Sequence, residues 1–103
     1  MIDSKSIKAI INKFMSEEGV LSVIITDGEG LPIQSSFKGE QIEQTEEISA
    51  YINSLIGRAK QTCDALKEGN LNFVRLETEK NVERHEIMIA PQEGLILIVI
   101  KRM

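Results

Sequence analysis

Two apolar runs joined by an acidic, glycine-containing turn constrain the fold of this chain more than any other feature. Residues 20–37 read VLSVIITDGEGLPIQSSF, and the turn at 27–30 leads directly into the second run. An Asp-Gly pair between apolar runs is a strong short-range signal for a β-hairpin. Residues 20–26 are largely apolar on both faces, so we predict a strand inside a sheet, covered on both sides. The second arm, 31–37, alternates and has Pro32 near its start, which predicts an edge strand.

An amphipathic helix precedes the hairpin. Apolar side chains recur at the i, i+3, i+4, i+7, i+8 spacing that places them on one helix face. Asp3 or Ser4 is suited to cap its start. Gly19 is suited to end it, because glycine readily takes the left-handed conformation that closes many helices. The apolar residues of this first helix are Ile7, Ile10, Ile11, Phe14 and Met15.

A longer helix follows a polar connection at residues 38–44. Its apolar residues, spaced as in a helix over 48–66, cover about 140° of the helix wheel, more than contact with one sheet requires. We therefore predict a second neighbour along this helix. Gly57 costs about 1 kcal/mol relative to alanine in a helix interior, and it fits either a close helix contact or simple tolerance. The flank facing the second neighbour consists of Tyr51, Ser54, Leu55, Arg58, Thr62 and Ala65.

Three further strands complete the chain. They are predicted at residues 71–77, 84–90 and 95–101, with turns around 80–81 and at 91–94. Connections this short make neighbouring strands antiparallel. The last strand contains LILIVI, apolar on both faces, so we expect it at the centre of the sheet. These elements predict an α+β fold with the order α-β-β-α-β-β-β, in a single domain over residues 1–103.

Composition limits the classes of partner and the cellular setting. The chain has 16 acidic and 12 basic residues, a net charge of −4 and no basic stripe, so we expect no nucleic-acid partner. The lone Cys63 cannot form an intrachain disulfide and no secretion signal is evident, which favours a reducing, cytoplasmic setting. The longest apolar run has six residues, far below the roughly 20 of a membrane-spanning helix. We expect no membrane insertion.

Side chains that carry chemistry are few and have structural explanations. Cys63 and His85 would be a nucleophile and its base, but the cysteine falls on an apolar helix face and the histidine in a charged strand. One histidine cannot build a zinc cluster. Asp27 and Glu29 fit turn chemistry better than a calcium loop or an acid–base pair. The glycines around them lead into a strand, whereas a phosphate-binding loop opens a helix. We expect no cofactor, no metal and no enzymatic activity.

The segment GVLSVIITDGEGLPIQSS at residues 19–36 and the final LILIVI resemble the roadblock family, which includes dynein light chains and prokaryotic regulators of small GTPases. The order of predicted elements is similar over nearly the whole chain. The resemblance implies a five-stranded antiparallel sheet of the roadblock-like, profilin-like group, with the long helix on one face and the first helix on the other. It also implies a homodimer, in which long helices pack antiparallel and middle strands meet edge to edge.

The resemblance implies a non-enzymatic, homodimeric binding module that docks a small Ras-like GTPase or a larger assembly. Two alternatives stay open. One is a small-molecule sensor of the profilin-like or PAS-like kind, for which three Phe, one Tyr and no Trp supply few aromatic walls. The other is an enzyme that uses Cys63 and His85. The implied dimer interface comprises Tyr51, Ser54, Leu55, Arg58, Thr62, Ala65, Asn72, Val74 and Leu76.

Overall fold

The computed structural model describes residues 4–37 and 41–103. Asp3, one of the two caps predicted for the first helix, lies outside them. Over the described residues, two helices and five strands follow each other in the predicted order. The elements are α1 (Ser4–Met15), β1 (Val20–Asp27), β2 (Pro32–Ser35), α2 (Gln41–Leu66), β3 (Val74–Lys80), β4 (Glu83–Gln92) and β5 (Leu95–Arg102).

The five strands form one antiparallel sheet in the order β2-β1-β5-β4-β3. β1 pairs with both β2 and β5, so it lies inside the sheet, as predicted from its apolar sequence. β5 is the central strand, with β1 on one side and β4 on the other. β2 forms one edge, and β3, hydrogen-bonded to β4, forms the other. The predicted α+β fold, the β3-β4-β5 meander and the edge position of β2 are therefore confirmed.

α2 covers one face of the sheet. Because side chains alternate across a strand, every second residue of the central strands points toward this helix. Complete burial of each such isoleucine stabilises the fold by about 1.5–3 kcal/mol. The resulting core cluster contains the buried residues Ile24, Ile89, Ile96 and Ile98 of the strands and Ile56 of α2.

α1 covers the opposite face, where it lies over β1 and β2. Ile7 and Ile11 of α1 are buried against Val23 and Ile25 of β1, and Leu95 and Leu97 of β5 pack around them. One helix on each face was implied by the family resemblance, and it is confirmed. Both faces of β1 and β5 are thus apolar because each face has its own helix.

The β1–β2 hairpin is held by its acidic turn. The Oδ1 atom of Asp27 accepts hydrogen bonds from the backbone N–H groups of Glu29, at 2.9 Å, and Leu31, at 3.0 Å. Turn chemistry therefore explains Asp27, as predicted. Gly30 has a φ of +89°, and a Cβ there would lie 2.6 Å from the Cβ of Asn53 in α2. Glycine is required at this position both by the backbone and by the approach of α2.

α2 begins at Gln41, seven residues before the first apolar residue used to predict it. The prediction of a polar connection was therefore wrong from residue 41 onward. Thr45 and Ser49 are buried here, and the Ser49 hydroxyl donates a hydrogen bond of 2.6 Å to the Thr45 carbonyl oxygen. Two small polar residues thus form the buried face of the first turns, which a search for apolar periodicity does not detect.

Of the last three strands, β4 (Glu83–Gln92) and β5 (Leu95–Arg102) contain their predicted ranges, whereas β3 is displaced. β3 spans Val74–Lys80 rather than residues 71–77, so Asn72, predicted on this strand, lies in the irregular connection before it. The two-residue turn at Asn81 and Val82 fixes the register, since both have positive φ, 52° and 62°, as tight hairpin turns require. Pro91, predicted in a turn, lies in β4 where β3 no longer extends beside it, so proline is tolerated there.

Candidate self-association surface

The outer edge of β3 is the most open part of the sheet. The strand has seven residues, of which Val74 is half-buried and the rest are exposed. All seven pair with β4 in one unbroken register. A strand paired on one side presents a row of backbone N–H and C=O groups on the other, which is a template for a further strand.

The two faces of β3 differ in chemistry. Val74 packs against the core cluster under α2, and by alternation Leu76, at 36% exposure, points to the same side. The opposite face carries charges. Arg75 contacts Glu86 of β4 at 2.7 Å and Glu77 at 3.2 Å, and Arg84 of β4 reaches Glu77 at 3.1 Å.

These ion pairs lie at the surface, and the one between Arg75 and Glu86 shifts the pKa of both groups in the direction that favours the charged form. The hydrogen bond from Arg75, followed by the charges of Arg75 and Lys101, lowers the pKa of the Glu86 carboxyl. The same hydrogen bond raises the pKa of Arg75. Both groups are therefore charged at neutral pH, and this face of the edge is ionic.

The predicted flank of α2 is present and open. Leu55 is half-buried and packs against the same core cluster as Val74 of β3. Tyr51 is 70% exposed. The Thr62 hydroxyl donates a hydrogen bond of 2.9 Å to the Arg58 carbonyl oxygen within the helix. The other exposed members of the predicted flank are Ser54, Arg58, Thr62 and Ala65.

Two exposed apolar residues near this surface were not predicted to belong to it. Leu66 ends α2 at 66% exposure, and Phe73 precedes β3 at 57%. Phe73 was missed because it was predicted to lie within the strand, where alternation places it on the face opposite Asn72 and Val74. Leu66 follows the helical spacing of the core residues, so nothing in its sequence position distinguished it from them.

Gly57 does not belong to this flank. It is exposed, and a Cβ there would meet nothing within 4 Å. It lines a cleft of ≈ 540 Å³ together with Lys60 and Asp64, beside the β4–β5 turn. No neighbour within the described residues therefore requires glycine at this position.

The geometry gives little support to an enzyme that uses Cys63 as nucleophile and His85 as base. Cys63 is half-buried in α2. His85 lies on β4 with its Nε2 atom 3.1 Å from Oε1 of Glu83, which Arg102 also contacts at 2.8 Å. The contact with His85 first, and then the hydrogen bond from Arg102, lowers the pKa of Glu83. The imidazole thus lies beside an acid of its own strand, and its buried Nε2 atom has no hydrogen-bond partner among the described residues.

The described residues contain neither a metal-binding cluster nor a membrane-spanning helix. Over residues 4–37 and 41–103, no group of three or more His, Cys, Asp or Glu side chains is placed to hold a metal ion. In the same part of the chain, neither helix combines the length and apolar character needed to cross a membrane.

Comparison with known proteins connects this geometry to a family. The model of the Roadblock/LC7 domain family matches residues 7–101. Among solved structures, MglB of Myxococcus xanthus is similar, with a TM-score of 0.82 and 15% identity over 98% of this chain and 79% of that one. A Roadblock/LC7 domain from Streptomyces avermitilis gives a TM-score of 0.73 and 12% identity, over 88% and 72% of the two chains.

A third similar structure is an MglB with a tetrameric arrangement. Its TM-score is 0.75, at 11% identity over 99% of this chain and 76% of that one. At these identities the solved structures show a shared fold. The family model covers β1 to β4, α2, all of β5 except Arg102, and α1 from residue 7 onward. The chain therefore belongs to the Roadblock/LC7 domain family.

Proposed function

We propose that this chain is a non-enzymatic, homodimeric binding module that docks a small Ras-like GTPase or a larger assembly. The observation that carries the proposal is the joined surface of the free β3 edge and the open α2 flank. Both elements contain apolar side chains that the monomer leaves exposed, and Leu55 and Val74 pack on the same core cluster.

A second copy suits this surface because a twofold axis brings the same patch of two subunits together. Two β3 strands would then satisfy each other's open backbone groups. The α2 flanks beside them would cover Tyr51 and Leu55. The resulting joined sheet has no exposed edge at its centre, which removes the aggregation hazard of a long open strand.

Membership of the Roadblock/LC7 family supports the second half of the proposal. The family resemblance implies docking of a small GTPase or an assembly. The tetrameric arrangement of one MglB structure is an assembly of that protein, and it supports self-association as a property of this fold. Such a module acts by presenting a shaped surface and needs no catalytic group.

The sensor alternative has weaker support. The cleft beside α2 is lined mainly by polar residues and glycines. A second cleft, of ≈ 520 Å³, lies between α1 and the sheet and is lined mainly by apolar residues, with Gln92 and Glu93 as the polar ones. Neither has an aromatic residue among those that line it, whereas small-molecule pockets are commonly walled by aromatic side chains.

Self-association is tested by light scattering at micromolar concentration. The expected mass is twice the 11.5 kDa of the chain. Leu55 and Val74 pack on the core, so the disrupting changes are better placed at exposed Tyr51 and Leu76. Tyr51→Asp with Leu76→Asp is expected to give monomers, since two charges per subunit then enter the interface.

A matched control uses the opposite edge of the sheet. Leu31 and Ile33 are exposed to 62% and 42%, close to the 70% and 36% of Tyr51 and Leu76. Leu31→Asp with Ile33→Asp is expected to remain dimeric. A monomeric wild-type chain, or dimers that resist the first pair of changes, would contradict the proposed assembly.

The GTPase proposal is tested with the wild-type dimer and the Tyr51→Asp, Leu76→Asp variant as parallel baits in extracts of the native cell. A captured Ras-like GTPase is then purified and loaded with GDP or a non-hydrolysable GTP analogue. Binding of the purified GTPase to the purified dimer, with different affinities for the two nucleotide states, is the expected result. Recovery of neither a GTPase nor components of a larger assembly would count against the proposal.

A further inference from the structure

The side chains of β3 restrict how two copies of this strand can pair. In an antiparallel pair generated by a twofold axis, the residue on the axis faces itself in the other copy. The residues just before and after it then face each other across the interface. Each candidate position of the axis therefore predicts a definite set of cross-strand neighbours, and opposite charges in such pairs stabilise while like charges destabilise.

Most positions of the axis bring like charges together. An axis at Arg75, Glu79 or Lys80 sets that charged residue against itself. An axis at Thr78 places Glu77 of each copy opposite Glu79 of the other. An axis at Val74 leaves Val74 as the single β3 residue with a β3 partner, because the strand begins there.

An axis at Leu76 avoids every like-charge pair within the strand. Arg75 of each copy then faces Glu77 of the other, which gives two opposite-charge pairs on the ionic face. On the face toward α2, Leu76 meets Leu76, and Val74 faces Thr78. Both faces of the strand are thereby matched, charge with charge and apolar side chain with apolar or small side chain.

We propose that β3 pairs with a second copy of this chain in this one register, with Leu76 on the twofold axis and Arg75 of each copy opposite Glu77 of the other. The inference rests on the proposed homodimer, and it adds which residues select the partner. Within each copy Arg75 already contacts Glu77 and Glu86, and Arg84 contacts Glu77. Pairing in this register joins the two ionic clusters into one.

The strongest competing register has the axis at Glu77. It pairs all seven residues of β3 and places Arg75 opposite Glu79. However, it sets the two Glu77 carboxylates directly against each other, and it faces Leu76 with Thr78 and Val74 with Lys80. The Leu76 register forms the same number of opposite-charge pairs without these mismatches.

Cysteine cross-linking separates the two registers. In a Cys63→Ala background, Leu76→Cys places one thiol on the proposed axis and Glu77→Cys places one a residue away. Cross-strand neighbours approach within the distance that a disulfide spans. Under mild oxidation with copper phenanthroline, the Leu76→Cys dimer is expected to cross-link at least about ten times faster than the Glu77→Cys dimer.

A charge-exchange experiment provides a second test that does not depend on thiols. Arg75→Glu and Glu77→Arg each create two like-charge pairs when the variant pairs with itself, and each is expected to weaken its homodimer about tenfold. Mixed together, the two variants regain two opposite-charge pairs. Native mass spectrometry should then show heterodimers well above the half expected from random pairing.

Glu79→Arg is the matched control for the charge exchange. In the proposed register Glu79 faces no charge, so mixing Glu79→Arg with Arg75→Glu is expected to give no heterodimer excess. With the axis at Glu77, residue 75 instead faces residue 79. The mixture of Glu79→Arg with Arg75→Glu would then form two opposite-charge pairs in the heterodimer and should show the excess. Circular dichroism of every variant separates loss of pairing from loss of fold.

The outcomes distinguish the register from the dimer itself. Faster cross-linking of Glu77→Cys, or heterodimer excess with Glu79→Arg, would overturn the Leu76 register and leave the homodimer standing. Dimers by light scattering without cross-linking at either position would place the interface away from β3 and overturn this inference. Monomers of the wild-type chain would overturn the proposed homodimer as well.

Discussion

The two edges of the sheet differ in how they are closed. β2 has four residues, includes Pro32, and pairs with β1 through an irregularity between Ile25 and Thr26. The segment after β2 is fastened by a hydrogen bond of 3.0 Å from the backbone N–H of Val23 to the Ser36 hydroxyl. β3 has seven residues in unbroken register with β4, and none of them is proline.

Short length, proline and irregular pairing prevent an edge strand from pairing with any further strand. Charged side chains instead discriminate between strands according to the charges that those strands carry. β2 is therefore blunted by its shape. β3 is protected by charge alone, which repels most strands but accepts one whose charges complement its own. An edge can thus be kept soluble and still be available to a single partner.

The largest expected effect comes from the core beneath each edge. Ile24 lies opposite Ser35 of β2, Ile89 lies opposite Val74 of β3, and both are fully buried. Ile24→Ala and Ile89→Ala are each expected to lower the free energy of unfolding by about 2–5 kcal/mol. Ile89→Ala should weaken self-association more than Ile24→Ala does, because Val74 of β3 pairs with Ile89. Urea unfolding and sedimentation equilibrium measure the two quantities.

Protein concentration is the control for this pair of variants. Association stabilises the folded chain by mass action, so the unfolding midpoint of a dimer rises with concentration. That rise should persist in Ile24→Ala and shrink in Ile89→Ala. Equal loss of dimer affinity in both variants would mean that the two edges do not differ as described.

The sequence predicted the parts of the fold where a single chemical pattern dominates. Apolar residues on both faces placed β1 and β5 correctly inside the sheet. Prediction failed at the start of α2, where Thr45 and Ser49 take the buried positions. It also failed at the start of β3, because the bounds of that strand depend on the turn at Asn81 and Val82 rather than on its own residues.

The candidate surface was predictable to a similar extent. The flank of α2 followed from an apolar arc wider than one sheet contact needs. The exposure of Leu66 and Phe73 did not follow from the sequence, because it depends on where the neighbouring elements end in space. The order of charges along β3 can be read directly from the sequence. Its ion pairs with Arg84 and Glu86 could not be predicted, because they depend on the register between β3 and β4.

The turn that ends the blunted edge is expected to contribute the next largest effect. Asp27→Ala removes the carboxylate that accepts hydrogen bonds from the N–H groups of Glu29 and Leu31. The free energy of unfolding should fall by about 1–2 kcal/mol. Hydrogen exchange at these two amides should accelerate while exchange in β3 stays unchanged. Asp27→Asn retains the Oδ1 acceptor and serves as the control, so an equal loss in both variants would contradict this role.

The hairpin beside the open edge carries strain instead. Val82 has a φ of +62° and is 94% exposed, and a β-branched residue in this conformation is unfavourable by roughly 1–2 kcal/mol. Val82→Gly relieves the strain at some cost in chain entropy. We expect a gain of about 1 kcal/mol in the free energy of unfolding by thermal or urea denaturation. Asn81→Gly should gain less, because asparagine tolerates positive φ, and a loss in Val82→Gly would contradict the prediction.

The smallest expected effect is on acid stability, and it separates the ionic edge from the blunted one. The pKa of Glu86 is lowered in the folded chain, first by its hydrogen bond from Arg75. The associated stability is therefore fully present above the unfolded-state pKa, near 4.5, and is lost as pH falls through the lower folded-state value. Glu86→Gln should flatten the loss of stability below that pH in unfolding experiments from pH 6 to pH 3. Arg75→Gln should flatten it similarly, and because the two residues share one interaction, the double variant should add little to either. Additive effects would show that Glu86 gains its acid sensitivity from somewhere other than Arg75.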